Sequence, residues 1–138
     1  AFRKTLELNS GYPGVYPYLT LIHLAKNNPA SALAEIRKES DPAWRLFGLA
    51  LTYHDMGQRE LAMTELKTAI RDYQDDFAYQ IAEIYAYMGI ADKAFEWLER
   101  AFQQHDGGLT EMKGDPLLRN IEKDERYMAF MKKMNLPL

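Results

Sequence analysis

The sequence predicts an all-α fold, an array of antiparallel helix hairpins with a C-terminal helical cap, and three observations carry this expectation. The stretches GLALTYHDMGQRELAMTELKTAI (48–70) and QIAEIYAYMGIADKAFEWLERAF (80–102) hold Ala50/Ala82, Tyr53/Tyr85, Gly57/Gly89, Ala62/Ala94, Leu66/Leu98 and Ala69/Ala101 in phase, each pair 32 apart (89 − 57 = 32). A fixed period in this range belongs to stacked helical units. Within each copy apolar residues fall at i, i+3, i+4 and i+7, as in Leu46, Leu49, Ala50, Tyr53 and in Ala62, Leu66, Ala69, Ile70, which is the stripe of an amphipathic helix. Gly57 and Gly89 stand between consecutive helical patterns, where a residue free to adopt the left-handed conformation ends one helix and lets the next fold back.

Taken in order, residues 2–8 read as a lone helix, the second half of a repeat cut off by the start of the chain (1–9). Residues 13–42 form a degenerate repeat, in which Leu19, Asn27, Ala32 and Ile36 stand 30 positions before Leu49, Gly57, Ala62 and Leu66 (49 − 19 = 30). Pro17 and the surrounding GYPGVYP confine its first helix to 16–26, and KNNPAS makes the turn, with Asn27 left-handed and Pro29 in the first turn of the second helix. The clear repeats follow at 43–74 and 75–106. In them Ala50 with Ala62, and Ala82 with Ala94, mark where paired helices cross, because only small side chains let the backbones approach.

After Gln104 the period stops, and 107–138 reads as a capping segment. DGGLTEMKGDP is a loop with one helical turn, and PLLRNIEK and ERYMAFMKKM are short amphipathic helices with Asp115 and Asp124 as N-caps. Their apolar residues Leu117, Leu118, Ile121, Tyr127, Met128, Phe130 and Met131 would cover the last hairpin. The cluster Met128, Met131 and Met134 reads mainly as packing, with a sticky contact surface as the other reading.

Composition bounds what the chain does. Its 138 residues match one domain. A net charge of −3, with scattered Lys and Arg, gives no footprint for direct nucleic-acid contact. No apolar run approaches the roughly 18–20 residues that span a bilayer, so no membrane insertion is expected. The absence of cysteine removes a disulfide framework and a thiolate zinc site and suits the cytoplasm.

These residues resemble the tetratricopeptide repeat. One unit reads Leu46, Leu49, Ala50, Tyr53, Gly57, Ala62, Leu66, Ala69 and the next Ala78, Ile81, Ala82, Tyr85, Gly89, Ala94, Leu98, Ala101. The degenerate unit reads Tyr16, Leu19, Thr20, His23, Asn27, Ala32, Ile36. The resemblance implies a right-handed superhelix. A finer likeness, carried by DPAWRLFGLALTYHDMGQ, YQIAEIYAYMGIADKAFEWLERAF and GGLTEMKGDPLL with DERYMAFMKKMNLP, is to the C-terminal repeat regions of bacterial winged-helix regulators, adenylate cyclases and protein kinases. It implies the regulatory or sensory tail of a larger bacterial protein.

By the same resemblance a ligand would lie on the concave surface lined by first helices. The matching positions include Leu21, Leu24, Trp44, Phe47, Leu51, His54, Asp55, Asp76, Tyr79, Glu83 and Tyr87. An aromatic lining with Asp55, Asp76 and Glu83 suits a protein or a basic peptide with apolar anchors. The same aromatics would also serve to pack neighbouring repeats, and the residues leave both roles open. His54-Asp55 has the look of a metal-binding pair, but His23 and His105 belong to other units, so no metal is expected. No Gly-rich phosphate loop or activated nucleophile is present, which argues against a cofactor and against an enzyme. The alternative function is self-association, with Phe2, Leu6 and Leu8 of the N-terminal helix covered by a second copy in a homodimer.

Overall fold

A computed structural model describes residues 15–134 of the chain. The helix expected at 2–8, with Phe2, Leu6 and Leu8, lies outside the described residues. The described residues form α1 (Val15–Ala25), α2 (Pro29–Ile36), α3 (Pro42–Asp55), α4 (Arg59–Tyr73), α5 (Ala78–Tyr87), α6 (Ala91–Gln103) and α7 (Glu125–Lys133). Two 3₁₀ helices, Gly107–Glu111 and Pro116–Ile121, lie between α6 and α7. No strand occurs among them, so the fold is all-α. None of these helices is long and apolar enough to cross a membrane.

Several helices, α2 and α3 first among them, start where local chemistry supplies their orphan N–H groups with acceptors. The Asn28 side chain accepts from Ser31 N–H at 3.2 Å, and Asp41 accepts from Ala43 and Trp44 N–H at 3.0 and 3.3 Å. Pro29 and Pro42 follow these caps, in the first-turn position where a missing N–H costs nothing. Asp115 and Asp124 cap as the sequence predicts, accepting from Leu117 and Arg126 N–H, each at 2.9 Å. What differs is the element after Asp115, which is a 3₁₀ helix and not an α-helix.

Four of the helix ends share one device. Asn27, Gly57 and Gly89 have φ of 57°, 75° and 78°. In each case the next N–H reaches back five residues, Asn28 to His23, Gln58 to Tyr53 and Ile90 to Tyr85, all at 2.9 Å. This is the bonding of a Schellman turn, which satisfies carbonyls that the helix leaves open. A fourth copy closes α6, where His105 has φ of 56° and Asp106 N–H bonds Ala101 C=O at 2.9 Å.

The chain divides into two compact units, one ending at Ala69 and the other beginning at Ile70. In the first, α1 packs on α2, and both pack on α3. Val15, Leu24, Ala32, Ile36, Phe47, Ala50 and Leu51 are buried there. A Cβ on Gly48 would overlap Ile36 Cγ1 and Cδ1, so α3 approaches α2 as closely as a bare backbone allows.

In the second unit, α5 packs on α6, and the segment after α6 returns to α5. Ile81, Ala82, Ile84, Ala94, Leu98 and Ala101 are buried, as are Met112, Leu117, Leu118 and Ile121 of the returning segment. α7 contributes Phe130 and Met131, with Phe130 edge-on to Phe102 at 6.1 Å. Its Met128 is 54% exposed, and Met134 is half-buried. The expected covering face of α7 is therefore narrower than its apolar residues suggest, and its three methionines do not share one environment.

Candidate functional site

The residues expected to face a ligand fall into the two units. In the first, α1 and α3 hold Leu21, Trp44 and His54 half-buried and Asp55 exposed, while Leu24, Phe47 and Leu51 are buried. Trp44 meets Phe47 edge-on, with ring centroids 5.5 Å apart and planes at 81°. Phe47 thus belongs to the core, and it fixes the tryptophan ring by the geometry aromatic quadrupoles favour.

In the second unit Asp76 is exposed, Tyr87 is half-buried, and Tyr79 and Glu83 are 1% and 8% exposed. The last two are one helical turn apart, so they share a face of α5. That face is covered by the chain itself. The Tyr79 hydroxyl donates to Asp115 Oδ2 at 2.6 Å, and the Asp115 Oδ1 accepts from Leu117 N–H at 2.9 Å. The Glu83 carboxyl is hydrogen-bonded to the same Asp115 carboxyl.

Both ends of α5 are tied to this segment. Phe77, at the N-cap position, offers no side-chain acceptor. Asp106 replaces it from 27 residues away, its Oδ2 accepting from Tyr79 N–H at 3.1 Å and its Oδ1 from Gly108 N–H at 2.8 Å. At the other end the Asn120 amide donates to Ala86 C=O and Tyr87 C=O, each at 3.1 Å. Between them Gly108 lies flat against the Tyr79 ring, where a Cβ would come within 2.8–2.9 Å of three ring and side-chain carbons.

The electrostatics follow from this enclosure. Burial, then the hydrogen bond to Asp115, then the Asp115, Glu111 and Asp106 carboxylates push the Glu83 carboxyl well above the usual carboxylate range. Burial, then Glu83 and Asp115, likewise raise the Tyr79 phenol above its ordinary value. Among the described residues no group of three or more His, Asp or Glu side chains is arranged to hold a metal ion. The carboxyls here bond to protein donors and to one another.

A shallow groove of about 380 Å³ lies between α6 and α7, floored by Phe95 and Phe130. Its rim is self-paired. Arg126 bridges Asp92 and Asp124, both at 2.9 Å, and stands 4.7 Å from the Phe95 ring centre, while Lys133 bonds Glu99 at 2.6 Å. The hydrogen bonds from Arg126 hold the Asp124 carboxyl down to about 2.

The spacing sets Tyr79 and Glu83 on one face of α5, but nothing in it indicates that Asp106, Gly108 and Asp115 meet that face or that Asn120 reaches the far end of the helix. The signals present were an Asp before each of the Gly-Gly and Pro-Leu-Leu runs. Comparison with protein-family models, with curated proteins and with solved structures finds no match to this chain.

Proposed function

We propose that the chain is a non-catalytic, tetratricopeptide-like scaffold that binds a protein or peptide through the first helices of its hairpins. We further propose that it serves as the regulatory part of a larger bacterial, cytoplasmic protein. The observation that carries the binding reading is the face of α5. Tyr79 and Glu83, placed there by their repeat positions, hold a short peptide segment, Asp106 to Ile121, through an aromatic ring, a hydroxyl, a carboxyl and helix-end groups. A hairpin face of this type is therefore fitted to take an irregular segment bearing Asp, Pro and Leu.

In the first unit α3 holds Trp44 half-buried in its first turn and His54, half-buried, with Asp55, exposed, at its end, an aromatic anchor and a carboxylate about 16 Å apart along the helix. A basic peptide with one apolar side chain suits it by charge and by shape. Titration of an array of such peptides, read by fluorescence anisotropy, tests the proposal. The expected result is saturable binding that Trp44→Ala with Asp55→Asn weakens at least tenfold, with an unchanged circular dichroism spectrum. Binding indifferent to both substitutions, or no binding across the array, would sink it.

A further inference from the structure

The contact between α5 and the segment behind it contains a feature that adhesion alone does not need: two carboxyl groups in direct hydrogen bond, walled off from water. Asp115 is 8% exposed and Glu83 8%, and the Tyr79 ring beside them is 1% exposed. Asp115 already accepts from the Tyr79 hydroxyl and the Leu117 amide. A second carboxyl can join it only by donating, which requires a proton on Glu83. Two ionised carboxylates buried side by side would repel where little water screens them.

The surroundings offer no relief. The titratable groups that face Glu83 are Tyr79 on its own helix, Asp106 at the end of α6, Glu111 on the first 3₁₀ helix and Asp115 at the head of the second. Every one is an acid. A buried carboxylate beside a lysine would stay ionised and tighten its contact as pH rises, and this arrangement does the reverse.

We propose that residues 106–121 form a pH-gated latch on α5, held shut by the proton that Glu83 shares with Asp115 and released when that proton is lost to water. In the closed state the Glu83 O–H donates to Asp115. In the open state the segment lifts, Glu83 ionises in solvent, and the O–H proton passes to bulk water. What opens is the α5 face bearing Tyr79 and Glu83, together with the Asp106 acceptor at the N-terminus of α5. The segment leaves α6 through the turn at His105, at φ of 56°, and Gly107, where a Cβ would meet nothing within 4 Å.

The direction and size of the response follow from one-proton linkage. Opening is insensitive to pH below the ordinary Glu value near 4.5. Above it the open fraction rises by up to about tenfold per pH unit, and it levels off once pH passes the raised value of the closed state.

Amide hydrogen exchange on the full chain tests this, read at Met112, Leu117 and Leu118 between pH 5 and 8. Comparing wild type with Glu83→Gln at each pH cancels the intrinsic rise of exchange with pH. A glutamine amide donates to Asp115 at every pH, so the wild-type to variant ratio is expected to climb by up to tenfold per unit across the window. A flat ratio overturns the latch. So does a climb shared equally by the amides within α6, which would report unfolding of the second unit and not release of the segment. Should Glu83→Gln fail to fold, Glu83→Met is the second reference. Methionine at position 83 has no proton to lose, and it must give the same climbing ratio.

Discussion

Single side chains in this protein carry costs that the hydrophobic pattern conceals. Thr52 is fully buried in α3, and its hydroxyl has no hydrogen-bond partner. A buried unsatisfied hydroxyl is a desolvation cost without return. Thr52→Val, which keeps the shape and removes the oxygen, is expected to raise stability by about 1 kcal/mol, seen as a higher urea midpoint; an unchanged or lower midpoint contradicts this. Gly48 is the opposite case. An added methyl would improve helix propensity by about 1 kcal/mol, yet it would meet Ile36, which is itself fully buried and has nowhere to go. Overpacking costs of about 1–3 kcal/mol outweigh that gain, so Gly48→Ala is expected to lower the midpoint, and a rise would show that α2 can yield.

Elements were legible where their cause is local. The amphipathic stripes of α3 to α6, the left-handed turns at Asn27, Gly57 and Gly89, and the caps Asp115 and Asp124 all follow from residues within a few positions of each other. The fourth turn escaped notice because His105 stands where its counterparts have Gly or Asn, the residues that mark such turns. A histidine in the left-handed region pays a steric cost that glycine avoids. His105→Gly is therefore expected to stabilise the second unit by about 0.5–1 kcal/mol after allowing for the greater freedom of the unfolded chain, as a shift in thermal midpoint; destabilisation would mean the imidazole makes a contribution of its own. The surroundings of the candidate site were legible only in part. Helical spacing set Tyr79 and Glu83 on one face, but no periodicity records that Asp106, Asp115 and Asn120 arrive there from 27, 36 and 34 residues away. Likewise Pro116–Ile121 carries an amphipathic pattern, yet it winds as a 3₁₀ helix.

At the scale of the molecule, opposing titrations predict where the chain is most stable. Glu83 has a folded pKa raised above its unfolded value, so its contribution is fully present below about 4.5 and is lost as pH rises through the raised folded value. Asp124 has a folded pKa lowered to about 2, so its contribution is present above the unfolded value of 3.8 and is lost as pH falls through about 2. The urea midpoint is expected to peak on the acid side of neutrality and to decline towards pH 8, with the decline absent in Glu83→Gln. A midpoint rising steadily to pH 8 would contradict it. The non-local capping of α5 has a further consequence, for synthesis. Domains are completed in order of emergence as the chain is made at about 5–20 residues per second. Here the N-terminal acceptor of α5 is Asp106, so a nascent chain holds the first turn of α5 without its cap until residues beyond α6 have been translated. Through that interval water is the only partner open to the Tyr79 N–H.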